Sequence, residues 1–196
     1  MPSVQHGKLF LILGPSGSGK GTVIAHLRKQ FPDAVFPLSC TTRGPRPGEH
    51  DGEVYHFLKR EEFERKIAAG DFLEYAVVHH DNLYGTLKRP IIGALDAGKI
   101  VIREVDMQGV KSIRALLPAN RVTAIFITAP SWENLKHRIL GRSTLPQEEL
   151  TQREKSFARE MEFSRQCDFV VMSEEGKIDE YCGKVADIIN KKAKSR

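Results

Sequence analysis

The chain has little cysteine, one tryptophan and no long apolar run. Cys40, Cys167 and Cys182 are its only cysteines in 196 residues. An odd number at such wide spacing excludes a disulfide framework as the basis of stability. Three free thiols suit a reducing compartment, so a cytoplasmic location is expected. No apolar stretch approaches the ~20 residues that a membrane-spanning helix needs. The opening MPSVQHGK lacks the basic-then-apolar layout of a secretory signal. Low-complexity and repeated segments are missing too, which excludes collagenous, disordered and coiled-coil classes. What remains is an ordinary globular composition, 40% hydrophobic and 28% charged. A chain of this length suits one domain that buries roughly 70% of its unfolded surface.

A strong excess of one charge is also missing, although the formal net charge is +5. Lys191, Lys192, Lys194 and Arg196 supply most of that excess at the C-terminal end. Residues 1–190 hold the other 26 cations against 25 acidic groups. A solvated basic tail explains the pI better than a surface for nucleic acid polymers, and no such partner is expected.

The apolar run Lys8–Leu13 reads as a buried strand stopped by Gly14-Pro15. A helix from Lys20, with Val23, Ile24, Leu27 and Phe31 on one face, ends at Pro32. Ala34–Ser39 reads as a second strand and Thr41–Gly52 as a loop. A short helix around Phe63 and Ile67 ends at Gly70, followed by strands Phe72–Val78 and Asn82–Tyr84. Helices are expected over Leu87–Ala97, Gln108–Leu117, Ser131–Leu140, Gln147–Phe163 and Lys177–Lys192, with strands Lys99–Val105, Arg121–Thr128 and Phe169–Met172 between them. Strands alternating with helices predict an α/β fold: a parallel sheet flanked by helices on both faces.

The strongest motif is Gly14-Pro15-Ser16-Gly17-Ser18-Gly19-Lys20-Gly21-Thr22. It follows a buried strand and opens a helix, the context of a phosphate-binding loop. Its glycines let the backbone N–H groups approach a phosphate, the helix N-terminus adds partial positive charge, and Lys20 reaches the terminal phosphates. Gly21 stands where the usual form of this loop has a Ser or Thr for Mg²⁺, and Thr22 follows one residue later.

A second segment narrows the acceptor. Ser39-Cys40-Thr41-Thr42-Arg43-Gly44-Pro45-Arg46-Pro47-Gly48-Glu49 leads into Gly52-Glu53-Val54-Tyr55-His56-Phe57. Two arginines three residues apart on a Pro/Gly-stiffened loop can grip one phosphate dianion, and tyrosine hydroxyls can add neutral donors. Together with Gly70–Ala76, Asn82–Thr86, Val105–Val110, Arg138–Arg142 and Arg153, these motifs resemble the guanylate kinase family over nearly the whole chain.

That resemblance implies a core of residues 1–36, 98–131 and 164–196, a GMP-binding insertion at 37–97 and a helical lid at 132–163. It implies transfer of the γ-phosphoryl group of ATP to GMP, and to dGMP, within purine nucleotide metabolism. ATP would lie on the loop from Gly14 to Thr22, with Arg138 above it. Arg43, Arg46, Tyr55 and Tyr84 would hold the GMP phosphate. Glu74 would accept from guanine N1–H and the 2-amino group, with Ser39, Thr86 and Asp106 completing the pocket and Glu104 nearby. Lys20, Arg46, Arg142 and Arg153 would stabilise the transferred group. Mg²⁺ would be held mainly by the nucleotide phosphates and water, with no protein metal site assigned. The partners would be small nucleotides, without a membrane, and the protein a monomer or weak homo-oligomer. Two features depart from the family: Glu104 where many relatives carry Asp, and Ser173-Glu174 where Asn-Asp is common.

His79-His80-Asp81 is superficially metal-like, but adjacent strand residues point to opposite faces. Trp132, near a helix start, is expected to pack. Cys40 lies near Arg43 and is expected to be passive.

Overall fold

A computed structural model of the chain describes residues 7–78, 81–141 and 145–194. Strand β1 (Lys8–Leu13) lies inside a parallel sheet, between β6 (Ile100–Glu104) and β7 (Val122–Thr128), with β8 (Phe169–Met172) beyond β7. The alternation of side chains along β1 explains the two cores. Leu9, Leu11 and Leu13 pack with α3 (Lys88–Asp96) and α4 (Met107–Leu116), while Phe10 and Ile12 pack with α1 (Lys20–Gln30) and α7 (Ile178–Lys194). The sheet is covered on both faces, as the near-continuous apolar runs require.

The segment expected as a strand over Ala34–Ser39 divides differently. Val35 makes an isolated parallel bridge to Val101, and only Ser39–Thr41 forms a strand, β2, in another sheet. Pro37 lies between the two parts and has no N–H to give to a ladder. This second sheet has the order β3-β2-β5-β4, with β3 at Tyr55–Phe57, β4 at Phe72–Val78 and β5 at Asn82–Leu87. β2 and β3 are parallel and the other pairs antiparallel. Helix α2 (Arg60–Ala68) closes a small core of Cys40, Phe63, Phe72 and Leu83. The Phe63 and Phe72 rings stack with centroids 4.3 Å apart. Gly85 is required beneath them, because a Cβ there would lie 2.8 Å from the Phe72 ring.

Helices α5 (Trp132–Leu140) and α6 (Gln147–Ser164) follow β7. Ser131 caps α5 by accepting from the Asn134 N–H. Trp132 packs, as its position suggested, with its ring 5.9 Å from that of Phe157.

Candidate active site

The phosphate loop runs from the C-terminal end of β1 to the first turn of α1. Gly14, Gly17 and Gly19 have positive φ angles of 143°, 82° and 89°. At Gly14 a Cβ would lie 1.9 Å from the Ile127 carbonyl oxygen, so only glycine lets the loop pass that close to β7. Gly19 begins α1 with no side-chain cap, and the first turn contains no acidic residue. The N–H groups and positive end of the helix dipole are therefore left for an anion. The Lys20 ammonium is folded onto the loop, donating to the carbonyls of Gly14 at 2.8 Å and Pro15 at 3.1 Å. Glu104, at the end of β6, lies 3.7 Å from it. Tyr181 of α7 packs in the same core as Val23 and Leu27 of α1 and supports the helix from its buried side.

Beneath the inserted sheet, four side chains from four strands meet. Thr86 of β5 donates a hydrogen bond to Oε1 of Glu74 on β4. Arg103 of β6 donates to that same oxygen at 3.4 Å, to Oγ of Ser39 at 3.0 Å and to the Pro37 carbonyl at 3.1 Å. Arg103 is only 7% exposed. Burial pulls its guanidinium below the ordinary value, while the facing Glu74 carboxylate works against that shift. It stays charged, because arginine's reference value is so high. Sequence reasoning passed over Arg103. The available signal was one charged residue inside an otherwise buried strand, a position that demands a partner.

Asp106 follows β6 and caps α4, with Oδ1 accepting from the Gly109 N–H at 2.7 Å. That cap fixes its direction at the cleft wall.

The Arg-rich loop is tied internally. Arg43 donates to both carboxylate oxygens of Glu49, at 3.1 and 2.8 Å, and to the Gly44 carbonyl. Its guanidinium lies 5.6 Å from the ring centroids of both Tyr55 and Phe57. The Tyr55 and Tyr84 rings meet edge-on at 5.7 Å. The Glu49 carboxyl is held below its ordinary range, first by the Arg46 backbone N–H and then by Arg43. Glu49 appeared in the sequence only as a motif letter, and its role as a clamp on Arg43 comes from the fold. The Arg46 side chain is exposed and stands outside this clamp.

Helices α5 and α6 each contribute an arginine to this side of the molecule, and that of α6 reaches the phosphate loop. Arg153 of α6 donates to Oγ of Ser16 in the phosphate loop at 2.8 Å and is held by Glu149 at 2.7 Å. Arg138 of α5 donates to both the hydroxyl and the carbonyl of Ser173, just beyond β8. Ser173, notable in the sequence only as a departure, thus anchors an arginine of α5. Helix α5 ends at Leu140; Arg142 lies outside the described residues, as do His79 and His80.

Part of this set borders one cleft of about 1010 Å³, whose lining does not include Arg43, Arg46, Thr86, Arg138 or Arg153. Its walls include Gly14, Lys20, Ser39, Tyr55, Glu74, Tyr84, Glu104 and Asp106, together with Arg103 and Glu160, which the sequence did not single out. Glu160 comes from α6. Burial pushes its carboxyl upward, against the lowering influence of Lys20 and Arg159. Among the described residues, no group of three or more His, Cys, Asp or Glu side chains is placed to hold a metal ion.

The model of the guanylate kinase family matches residues 6–192. The guanylate kinase of Corynebacterium jeikeium is 39% identical over 187 residues, covering 95% of this chain and 97% of that protein. That of Clostridioides difficile is 40% identical over 174 residues, covering 89% and 83%. That of Leifsonia xyli subsp. xyli is 46% identical over 143 residues, covering 73% of this chain and 56% of its own length. The crystal structure of guanylate kinase from Anaplasma phagocytophilum superposes with a TM-score of 0.75 at 27% identity, covering 97% of this chain and 88% of that one.

Proposed function

The chain belongs to the guanylate kinase family, and from that premise we propose how its residues carry ATP-dependent phosphorylation of GMP. The observation that carries the reading is the single cleft shared by Lys20 of the phosphate loop and Glu74 of the inserted sheet. One end suits a polyphosphate and the other a base with a donor edge.

ATP binds with its phosphates on the uncapped start of α1. Lys20 then exchanges the Gly14 and Pro15 carbonyls for the β- and γ-phosphate oxygens. GMP binds beneath the inserted sheet, where Glu74 accepts from N1–H and the 2-amino group, with Ser39, Thr86 and Asp106 around the base. Arg43, pre-oriented by Glu49, joins Arg46, Tyr55 and Tyr84 on the GMP phosphate. An oxygen of that phosphate attacks the γ-phosphorus, the bond to the β–γ bridging oxygen breaks, and ADP and GDP result. No protein nucleophile is required. Arg153, already against Ser16, and Arg142 neutralise charge on the equatorial oxygens, while Arg138 fixes α5 over the nucleotide. Mg²⁺ carried on the ATP phosphates supplies further charge neutralisation. The half-exposed Glu104 carboxylate beside Lys20 is suited to its water shell.

Residues 37–97 serve as the GMP-binding part and 132–163 as the lid, with closure excluding water from the transferred group. Helix α3, at the end of the insertion, packs through Ile91, Ala94 and Leu95 against the core, so the motion of the inserted part is centred on residues before 88. The three free cysteines support a cytoplasmic setting, and dGMP serves as a second acceptor in a protein acting as a monomer or weak homo-oligomer.

A coupled assay of ADP release with GMP, dGMP, AMP and ribose phosphates tests this reading. Rapid turnover with the two guanine nucleotides alone is expected. Turnover with ribose phosphates, or none with GMP, overturns it.

A further inference from the structure

Arg103 is a buried cation on the wall of the base-side cleft with no part in phosphate binding or transfer. Side chains alternate along β6, so it shares a face with Val101, which packs in the core under α3. A guanidinium at such a position is costly unless its donors are used. Arg103 spends the donors of its two terminal nitrogens on three acceptors that line or border the pocket, the Pro37 carbonyl, Ser39 Oγ and Glu74 Oε1, while its Nε–H is buried without a partner among the described residues.

The donor count on Glu74 gives this arrangement its consequence. An ionised carboxylate offers about four lone-pair sites over two oxygens. Oε1 already receives the Thr86 hydroxyl and the Arg103 guanidinium. Its capacity is filled, and Oε2 is left as the acceptor for the ligand. An ionised carboxylate accepts hydrogen bonds and cannot donate them.

We propose that Arg103 is the positioning residue for base selectivity: with Thr86 it saturates one oxygen of Glu74 and presents the other as a fixed, acceptor-only group that takes a purine donor edge. A base with an acceptor in place of N1–H meets a lone pair there and is rejected. A base that keeps N1–H but lacks the 2-amino group loses part of the contact. This inference rests on Glu74 reading the base, and it adds how Glu74 is held.

The experiment compares wild type, Arg103→Met, Arg103→Lys, Glu74→Gln and the double variant Arg103→Met/Glu74→Gln. Steady-state kcat and KM are measured for GMP, for inosine monophosphate and for ATP. Wild-type turnover of GMP tests the underlying reading separately. Arg103→Met should raise KM for GMP roughly tenfold or more, the scale of a lost charge-assisted hydrogen bond. The loss should fall on KM for GMP more than on kcat, leave KM for ATP near wild type, and narrow the preference for GMP over inosine monophosphate. Arg103→Lys, which keeps the charge, should recover part of that preference. In the Glu74→Gln background, Arg103→Met should add little further loss of preference, because its effect passes through Glu74. An unchanged KM for GMP in Arg103→Met overturns the proposal, as does an equal rise for GMP and ATP. Additive losses in the double variant overturn it too. Should Arg103→Met fail to fold, Arg103→Lys and Glu74→Gln still decide: a Lys variant that loses preference as fully as Glu74→Gln contradicts positioning by charge.

Discussion

Lys20 illustrates how one residue's position is prepared before its ligand arrives. Its ammonium is bonded to two carbonyls of its own loop, acceptors that phosphate oxygens replace with stronger, charge-assisted bonds. Lys20→Ala is expected to lower kcat by roughly 100- to 1000-fold, the cost of removing a preorganised electrostatic donor. The circular dichroism spectrum should remain that of the wild type, since the side chain is not part of either core. Activity within a few-fold of wild type, measured by ADP release, would remove Lys20 from the mechanism. Arg43 is prepared differently, by the bidentate Glu49. The motif letters named both residues, but only the loop's path showed that they form a pair.

At the scale of elements, α6 does two jobs at once. Its N-terminal half brings Arg153 to Ser16, and its C-terminal half turns Glu160 toward the cleft and Phe163 into the core. Glu160 Oε2 is buried without a hydrogen-bond partner among the described residues, and burial raises the carboxyl above its ordinary value. The folded state therefore holds this proton more tightly than the unfolded chain. The Glu160 contribution to stability is greatest below the unfolded carboxyl range and falls as pH rises through the elevated folded value. Glu160→Gln should be nearly neutral at pH 4 and more stable than wild type at pH 7. Urea titrations at both pH values read this difference. Equal stability at pH 7 would mean that the carboxylate is well solvated.

For the whole molecule, the two faces of the core sheet and the separate core of the insertion bury the thiols with little functional use. Cys40 and Cys182 are fully buried and Cys167 is partly buried. Burial pushes Cys40 and Cys167 up to about 11, and raises Cys182. Thiolate is the reactive form, so at pH 8 the native enzyme should react slowly with a thiol reagent, and all three cysteines should react at once in denaturant. Fast native labelling of Cys40 would contradict its place inside the second sheet.

The α/β class, the strands Lys8–Leu13, Phe72–Val78 and Phe169–Met172, and the phosphate loop were readable from the sequence, because each depends on local order. An apolar run, a glycine needing positive φ and a helix start are written in neighbouring residues. The split of Ala34–Ser39 between two sheets was not, since strand membership is chosen by partners far along the chain. The same holds at the site. The sequence determined which residue types are present and in what order along the loops. Only the tertiary structure decided that Arg103 would meet Glu74, that Ser173 would anchor Arg138, and that Arg153 would reach Ser16. Those contacts join residues 29 to 137 positions apart, and no local pattern carries them. They are fixed by where the two sheets and the helices bring separate segments together, and a buried charge such as Arg103 tolerates that placement only where acceptors arrive with it.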